Sequence, residues 1–189
     1  MNNTTRNKLT LLGLFVLFFV PVLLAYLMAT GVIDYKPQPS KNHGNLVTPP
    51  IEMRHYTSQP LLAAANEKWK LVYVAPDHCG ERCRVILDAM YRIYLATGRH
   101  RTKVQPVVVS YMDDFSLPEP FDQRLAHVSI ASDSKAQTLF ERLSRQSLTG
   151  GKGLYIIAPE GFLMMSYPKE FSPSGVIKDM NILLKRKDG

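Results

Sequence analysis

The sequence predicts an α/β domain that follows one long apolar segment at the N-terminus. Three observations support this fold class. The run from Leu9 to Ile33 contains no charged residue. After it, short apolar runs rich in β-formers alternate with stretches whose apolar residues recur at helical spacing. Two such runs flank the sequence Pro159, Glu160, Gly161, close enough for an antiparallel hairpin. One domain is expected, because 189 residues are ample for one core but few for two.

The apolar run predicts a transmembrane helix over residues 9–33. At ~1.5 Å per residue, this length spans the ~30 Å hydrocarbon layer with some tilt, and Pro21 would kink the helix. A cleaved signal peptide is the alternative, but "LMATGVI" offers no A-x-A-like cleavage site. Arg6 and Lys8 precede the run and predict a cytoplasmic N-terminus at residues 1–8.

Two basic residues beyond the run, Lys36 and Lys41, weaken that orientation. Residues 34–43 are rich in Pro and Lys and predict an extended tether. The folded domain is then expected to occupy residues 44–189. We expect a single-pass protein of the inner membrane, with this domain in the periplasm or an equivalent compartment.

The predicted elements of the domain follow a recognisable order. A strand–helix–strand unit, a further strand and a helix precede the hairpin, and a last helix closes the domain. Apart from the additional helix before the hairpin, this is the arrangement of the thioredoxin fold. The predicted strands are 69–75, 106–111, 127–131 and the two of the hairpin within 153–168, and the predicted helices are 83–97, 133–144 and one beginning at Pro173.

The net charge is +7, of which Arg6 and Lys8 contribute two units, which leaves +5 after the apolar run. Nucleic acid is not an expected partner, because no aromatic platform or known docking motif accompanies the basic residues. We expect a solvated basic face near anionic headgroups or an acidic partner. The basic residues concerned are Arg82, Arg84, Arg92, Arg99, Arg101, Lys103, Lys185, Arg186 and Lys187.

The chain has two cysteines, Cys79 and Cys83, at the junction between the first predicted strand and helix. Cys79 would lie at the helix N-terminus, where unpaired N–H groups and the helix dipole favour a thiolate. His78, Arg82 and Arg84 would add positive potential.

Cys83 follows one helical turn later on the same face, so the two sulfurs could form a disulfide or hold one metal ion. A structural disulfide and incidental thiols are the alternatives to a redox or metal-linked role. So short a loop loses little chain entropy on closure, which makes stabilisation a poor reason to keep the pair.

Several stretches together resemble the Sco/SenC family. These are the C-x3-C at a strand-to-helix turn, the apolar anchor, "GNLVTPP", "VQPVVVSYMDD" and "SLTGGKGLYIIAPEGFLMMSY". The resemblance covers roughly residues 44–185. It implies an anchored thioredoxin-fold protein that assists copper-site assembly in cytochrome c oxidase. By this resemblance Cys79 and Cys83 match the redox-active and copper-binding pair of the family.

The chain departs from the family pattern at several positions. The third copper ligand is a histidine in the family, but the corresponding stretch here, "TGGKGLY", has none. Gly80 and Arg84 stand where the family has prolines, and Asp113 alone remains of its acidic loop. Two thiolates suit Cu(I) better than Cu(II). His78 and His127 are candidate substitute donors.

The other candidate ligands are assigned no copper role. His43, His55 and His100 have no motif context, and Met164 and Met165 are expected in the core of the hairpin. The sequence also lacks a nucleophile elbow and a phosphate-binding loop.

The resemblance and the missing histidine favour one functional reading. The chain is expected to reduce copper-site cysteines of a cytochrome c oxidase subunit or of another copper-assembly factor. Cys79 would attack and Cys83 would resolve the mixed disulfide. The alternatives are a copper chaperone that holds Cu(I) on the pair and a non-catalytic assembly scaffold.

Overall fold

The structure, a computed structural model, describes residues 3–29, 42–63, 67–146 and 153–186. The chain divides into two compact units, Met1–Ser40 and Lys41–Gly189. The first unit contains helix α1 (Asn3–Ala29), which includes Pro21. Within the described residues, no helix combines the length and the apolar character that crossing a membrane requires. Most of the predicted tether, residues 34–41, lies outside the described residues.

The second unit alternates strands and helices. Short 3-10 helices at Met53–His55, Gly98–Lys103 and Phe121–Gln123 connect some of them. The main elements are β1 (Asn45–Glu52), α2 (Pro60–Ala63), β2 (Trp69–Val74), α3 (Glu81–Ala96), β3 (Val104–Ser110), β4 (Ala126–Ser129), α4 (Ser134–Gln146), β5 (Leu154–Ile157), β6 (Phe162–Tyr167) and α5 (Pro173–Arg186).

The strands form one six-stranded sheet in the order β1-β6-β5-β2-β3-β4. β2, β3 and β4 are parallel, while β5 pairs antiparallel with β2 and β6 antiparallel with β5. The central order β6-β5-β2-β3, with a helix between β2 and β3 and a hairpin before the last helix, is the thioredoxin arrangement. The predicted α/β thioredoxin-like fold is therefore confirmed.

Two hydrophobic cores lie on opposite faces of the sheet. Alternate residues of the central strand divide between them: Leu71 and Tyr73 pack on the face covered by α3 and α5, and Val72 and Val74 on the face covered by α4. All six residues of β2 are buried, as expected for a strand covered on both sides. The chain around β2 therefore reaches solvent only in the loops that flank this strand.

Strand β1 is the strand of the sheet that the sequence pattern did not predict. Its burial shows no alternation, because Leu46 pairs with Met165 but the next paired residue is Ile51. The register is irregular over the four residues between them, which include Pro49 and Pro50. Prolines cannot donate to a ladder, so an edge strand is the place that tolerates them.

A buried carboxylate fixes the segment by which the chain joins β1. Asp179 of α5 accepts hydrogen bonds on Oδ2 from the backbone N–H groups of His43 and Gly44 and from the hydroxyl of Tyr167, each at 2.9 Å. Burial, together with the Asp179 carboxylate, raises the pKa of Tyr167. Gly44 approaches the Tyr167 ring so closely that a Cβ there would lie 2.5 Å from a ring carbon. We call His43, Gly44, Tyr167 and Asp179 the Asp179 cluster.

Candidate active site

The two cysteines lie at the end of β2, where the chain turns into α3. Gly80 is the N-cap residue of α3 and provides no side chain to bond the first N–H groups of the helix. These groups are the donors that a helix start leaves unsatisfied, and they carry its partial positive charge. The sequence prediction placed Cys79 at this helix start, and the structure has it one residue before the N-cap.

Cys79 and Cys83 form a disulfide, with their Cα atoms 5.1 Å apart. The two sulfurs differ in access, because Cys79 is partly exposed whereas Cys83 is only 3% exposed and belongs to the core under α3. An incoming thiol can therefore reach Cys79 much more readily than Cys83. Such a difference in access is one of the factors that decide which sulfur is attacked.

A cavity of about 260 Å³ opens beside Cys79. One wall is the loop before α3 and the other is the loop after β3. The lining mixes apolar and polar groups, and its residues are Asp77, His78, Cys79, Met112, Asp114, Phe115, Ser116 and Pro118. The sequence of the second loop, "MDDFSLPEP", is acidic and contains prolines, but nothing in it places the loop beside Cys79.

Side chains at the ends of two strands hold this second loop in place. Ser110 donates its hydroxyl hydrogen to the Met112 carbonyl at 2.8 Å, and His127 Nε2 lies 2.9 Å from the same hydroxyl oxygen. A serine hydroxyl has one hydrogen, so His127 must be the donor and carries its proton on Nε2. The next loop residue, Asp113, accepts a hydrogen bond on Oδ1 from the Ser129 hydroxyl at 2.6 Å.

His127 therefore acts through the loop that forms the cavity wall. Its ring packs against Phe115, with the ring centroids 5.3 Å apart. Burial lowers the pKa of His127, which favours the neutral ring. The other histidine proposed as a substitute copper donor, His78, is exposed and lines the cavity with Cys79.

The positive charge expected next to Cys79 is only partly present in the structure. Arg82 turns to Glu170, with 3.4 Å between Nη2 and Oε1, and both side chains are largely exposed. An exposed pair of this kind contributes little to stability. Burial raises the pKa of Tyr73 to about 12, and the charge of Arg82 opposes that rise.

The remaining basic residues are mostly spread over exposed surface. Asp88 binds Arg92 at 2.8 Å along α3. The guanidinium groups of Arg101 and Arg124 lie over the rings of Tyr94 and Tyr91, at 6.0 and 5.1 Å from the centroids. These arrangements fit a solvated basic face, and Lys187 lies outside the described residues.

The residues without an expected copper role have other contacts. His55 Nε2 lies 2.9 Å from Glu52 Oε2, and His100 Nε2 accepts a hydrogen bond from Arg99 Nε at 3.1 Å. Met165 is 2% exposed, and Met164 is partly buried against the same core. Both methionines thus pack in the hairpin as expected.

A copper site is not preformed in the described part of the chain. Within it, no group of three or more His, Cys, Asp or Glu residues is placed to hold a metal ion. The sulfurs of Cys79 and Cys83 are bonded to each other, so neither is a thiolate. Reduction would free both as soft ligands suited to Cu(I). Residues 147–152, which include most of the "TGGKG" stretch, lie outside the described residues.

Solved structures similar to this chain include copper-bound ScoI of Arabidopsis thaliana, with 15% identity over 65% of this chain and 87% of that chain and a TM-score of 0.48. Copper-bound ScoI of Bradyrhizobium japonicum has 18% identity over the same shares, with a TM-score of 0.45. Tryparedoxin from Trypanosoma brucei has 16% identity over 69% of this chain and 93% of that chain, also with a TM-score of 0.45. Likeness at this level leaves function to be argued from the site.

No protein of curated function matches the sequence. A family profile described as "transmembrane-like, thioredoxin-like, C-terminal domain" matches residues 69–186, from the first residue of β2 to the last of α5. The match includes the disulfide, both walls of the cavity and most of the sheet. Because it covers well over half of the sequence, the chain belongs to this family of thioredoxin-like domains.

Proposed function

We propose that this chain is a thiol–disulfide oxidoreductase that works through Cys79 and Cys83. The observation that carries the proposal is the disulfide at the start of α3, with one sulfur accessible from a cavity and the other buried. Uncapped helix N–H groups favour a thiolate at Cys79 once the disulfide is reduced. The pair thus has the asymmetry that an attacking and a resolving thiol require.

The reaction transfers two electrons from the reduced pair to a partner disulfide. The Cys79 thiolate attacks one partner sulfur, a Cys79–partner bond forms, and the other partner sulfur leaves as a thiolate. Cys83, after losing its proton, then attacks the Cys79 sulfur, which closes the disulfide seen here and releases the second partner thiolate. A thiol donor of the thioredoxin class must reduce the pair before the next cycle.

The cellular setting is part of the same proposal. The resemblance of the sequence to Sco/SenC proteins supports copper-site cysteines of a cytochrome c oxidase subunit, or of another copper-assembly factor, as the substrate. The uncharged run at 9–33, with Arg6 and Lys8 before it, supports an anchor in the inner membrane and a domain on its periplasmic side.

Binding of Cu(I) by the reduced pair is the second candidate function. It is favoured by Met112, which lines the same cavity as Cys79 and carries a thioether, a soft ligand of the kind that Cu(I) prefers. Copper would then be the cargo of the protein.

Trapping of mixed disulfides tests the oxidoreductase proposal. Cys83→Ser should accumulate covalent complexes with partner proteins in cells, because nothing resolves the Cys79 linkage. Cys79→Ser should accumulate few, because Cys83 is buried. The reduction potential of the wild-type disulfide, measured in redox buffers, should be higher than about −300 mV.

The opposite result would indicate an inert disulfide. If neither variant traps a partner and the pair resists reduction well below about −300 mV, the bond is structural. The scaffold alternative would then stand in place of the oxidoreductase.

A further inference from the structure

The cavity beside Cys79 is open space next to the accessible cysteine of the disulfide, where a partner chain can lie during exchange. Cys83 is buried, so a partner sulfur has to react at Cys79, which is partly exposed and lines the cavity. The residues next to the partner cysteine will then lie against the cavity wall. In an extended segment, neighbouring residues are ~3.3 Å apart, so only a few of them can touch the wall at once.

The wall formed by the loop after β3 is fixed before a partner arrives. Ser110, itself bonded to His127, holds the Met112 carbonyl, and Ser129 holds the Asp113 carboxylate. These bonds tie two successive loop residues to the ends of β3 and β4. A wall that is already ordered loses less entropy when a partner binds, so its contacts can discriminate between partners.

One carboxylate on this wall is unengaged. Asp113 is occupied by Ser129, whereas the exposed Asp114 lines the cavity and makes no hydrogen bond or ion pair within the described residues. Asp77 on the opposite wall adds negative charge, although it also interacts within the domain. Among the described lining residues, His78 is the single basic side chain, and Arg82 is turned to Glu170.

We propose that Asp114 is a specificity-determining residue, which selects partner segments with a lysine or arginine within two or three positions of the reacting cysteine. The proposal rests on the oxidoreductase function above and names its partner class. The fixed wall presents the carboxylate, and the accessible sulfur of Cys79 brings the partner to it. A partner with acidic residues around its cysteine would be repelled from the same place.

Peptide exchange with the oxidised full chain in nonionic detergent tests this assignment. Three short peptides carry one cysteine flanked by lysines, by serines or by glutamates. The peptide thiolate attacks the Cys79 sulfur, a peptide–Cys79 bond forms, and the electron pair of the broken bond goes to Cys83, which takes a proton from solvent. Mass spectrometry of acid-quenched samples gives the rate of mixed-disulfide formation.

The measured quantity is the wild-type rate divided by the Asp114→Asn rate for each peptide. This ratio cancels differences in intrinsic thiol reactivity between the peptides. At low salt, one charge pair ~7 Å apart in water should make the ratio about three for the lysine peptide. The ratio should be about one for the serine peptide and about one third for the glutamate peptide, and all three should approach one at ~1 M salt.

Asp122→Asn is the matched control, because Asp122 is exposed and does not line the cavity. Equal ratios for the lysine and glutamate peptides, with exchange proceeding, would overturn the role of Asp114 and leave the oxidoreductase function standing. A shift of the same size in Asp122→Asn would also overturn it, because net charge would then explain the effect. If no peptide exchanges with the wild type, both proposals fail.

Discussion

Removing the buried carboxylate of the Asp179 cluster should destabilise the domain strongly. In Asp179→Ala, the Tyr167 hydroxyl and the Gly44 N–H lose their acceptor in buried surroundings, and the His43 N–H loses it in a partly buried one. A buried donor left without a partner costs about 1–3 kcal/mol. Relief of the buried charge and entry of water offset part of the sum, so we expect a loss of about 3–4 kcal/mol in the free energy of unfolding.

Urea denaturation of the fragment 41–189, followed by circular dichroism, measures this loss. The fragment is suitable because both hydrophobic cores lie between Met53 and Leu184. Tyr167→Phe removes one donor and leaves the others in place, so it should cost about 1–2 kcal/mol. In the Asp179→Ala background the same change should cost much less, because the hydroxyl then keeps only the weak thioether acceptor of Met165 at 3.8 Å.

The exposed Asp122→Ala is the control and should change stability by less than about 0.5 kcal/mol. An Asp179→Ala loss no larger than this control would refute the reasoning, because the donors would then be satisfied without the carboxylate. Additive effects of the two cluster variants would refute the coupling between Tyr167 and Asp179.

The remaining predictions concern topology, copper and pH. A periplasmic reporter fused after Gly189 should be active and a cytoplasmic reporter silent; the inverted pattern would contradict the proposed orientation. The reduced fragment 41–189 should bind Cu(I) weakly and little Cu(II), because two thiolates suit Cu(I); stoichiometric Cu(II) with a strong sulfur-to-copper charge-transfer band would contradict this. Because burial lowers the folded-state pKa of His127, the unfolded chain takes up the proton first as pH falls below ~6.5. Wild-type stability should therefore fall more than that of His127→Gln between pH 7.5 and 5 in urea titrations, and parallel profiles would contradict it.

The elements that could be predicted from the sequence are those with a strong local pattern. β2 is apolar apart from Lys70 because it is buried on both faces, and α3 shows its buried face at Cys83, Leu87, Met90 and Ile93. β1 lacked such a signal, since its residues follow no alternation. The difference in access between the two cysteines also follows from helix position, because the helix start is at the surface and the next turn faces the core.

Features that join distant parts of the chain gave no local signal. The bonds of Asp179 to His43 and Gly44 span 136 and 135 positions. The cavity wall is an acidic stretch of sequence, but its place beside Cys79 depends on hydrogen bonds that tie the loop to the ends of β3 and β4. The sequence suggested His127 only as a metal donor, whereas in the structure its ring is hydrogen-bonded to Ser110, which holds the loop.

The Asp179 cluster also decides how the domain can be attached to a surface or a fusion partner. Asn45 pairs with Ser166, the last residues of β6 lie opposite the start of β5, and Leu154 of β5 pairs with Tyr73 near the end of β2. The chain therefore joins the sheet at the same end as the disulfide. α5 begins soon after β6 and carries the chain back over 14 residues, or ~21 Å, towards the other end. Attachment through residues before His43 therefore places the disulfide end of the sheet nearest the point of attachment, whereas a label after α5 lies towards the opposite end.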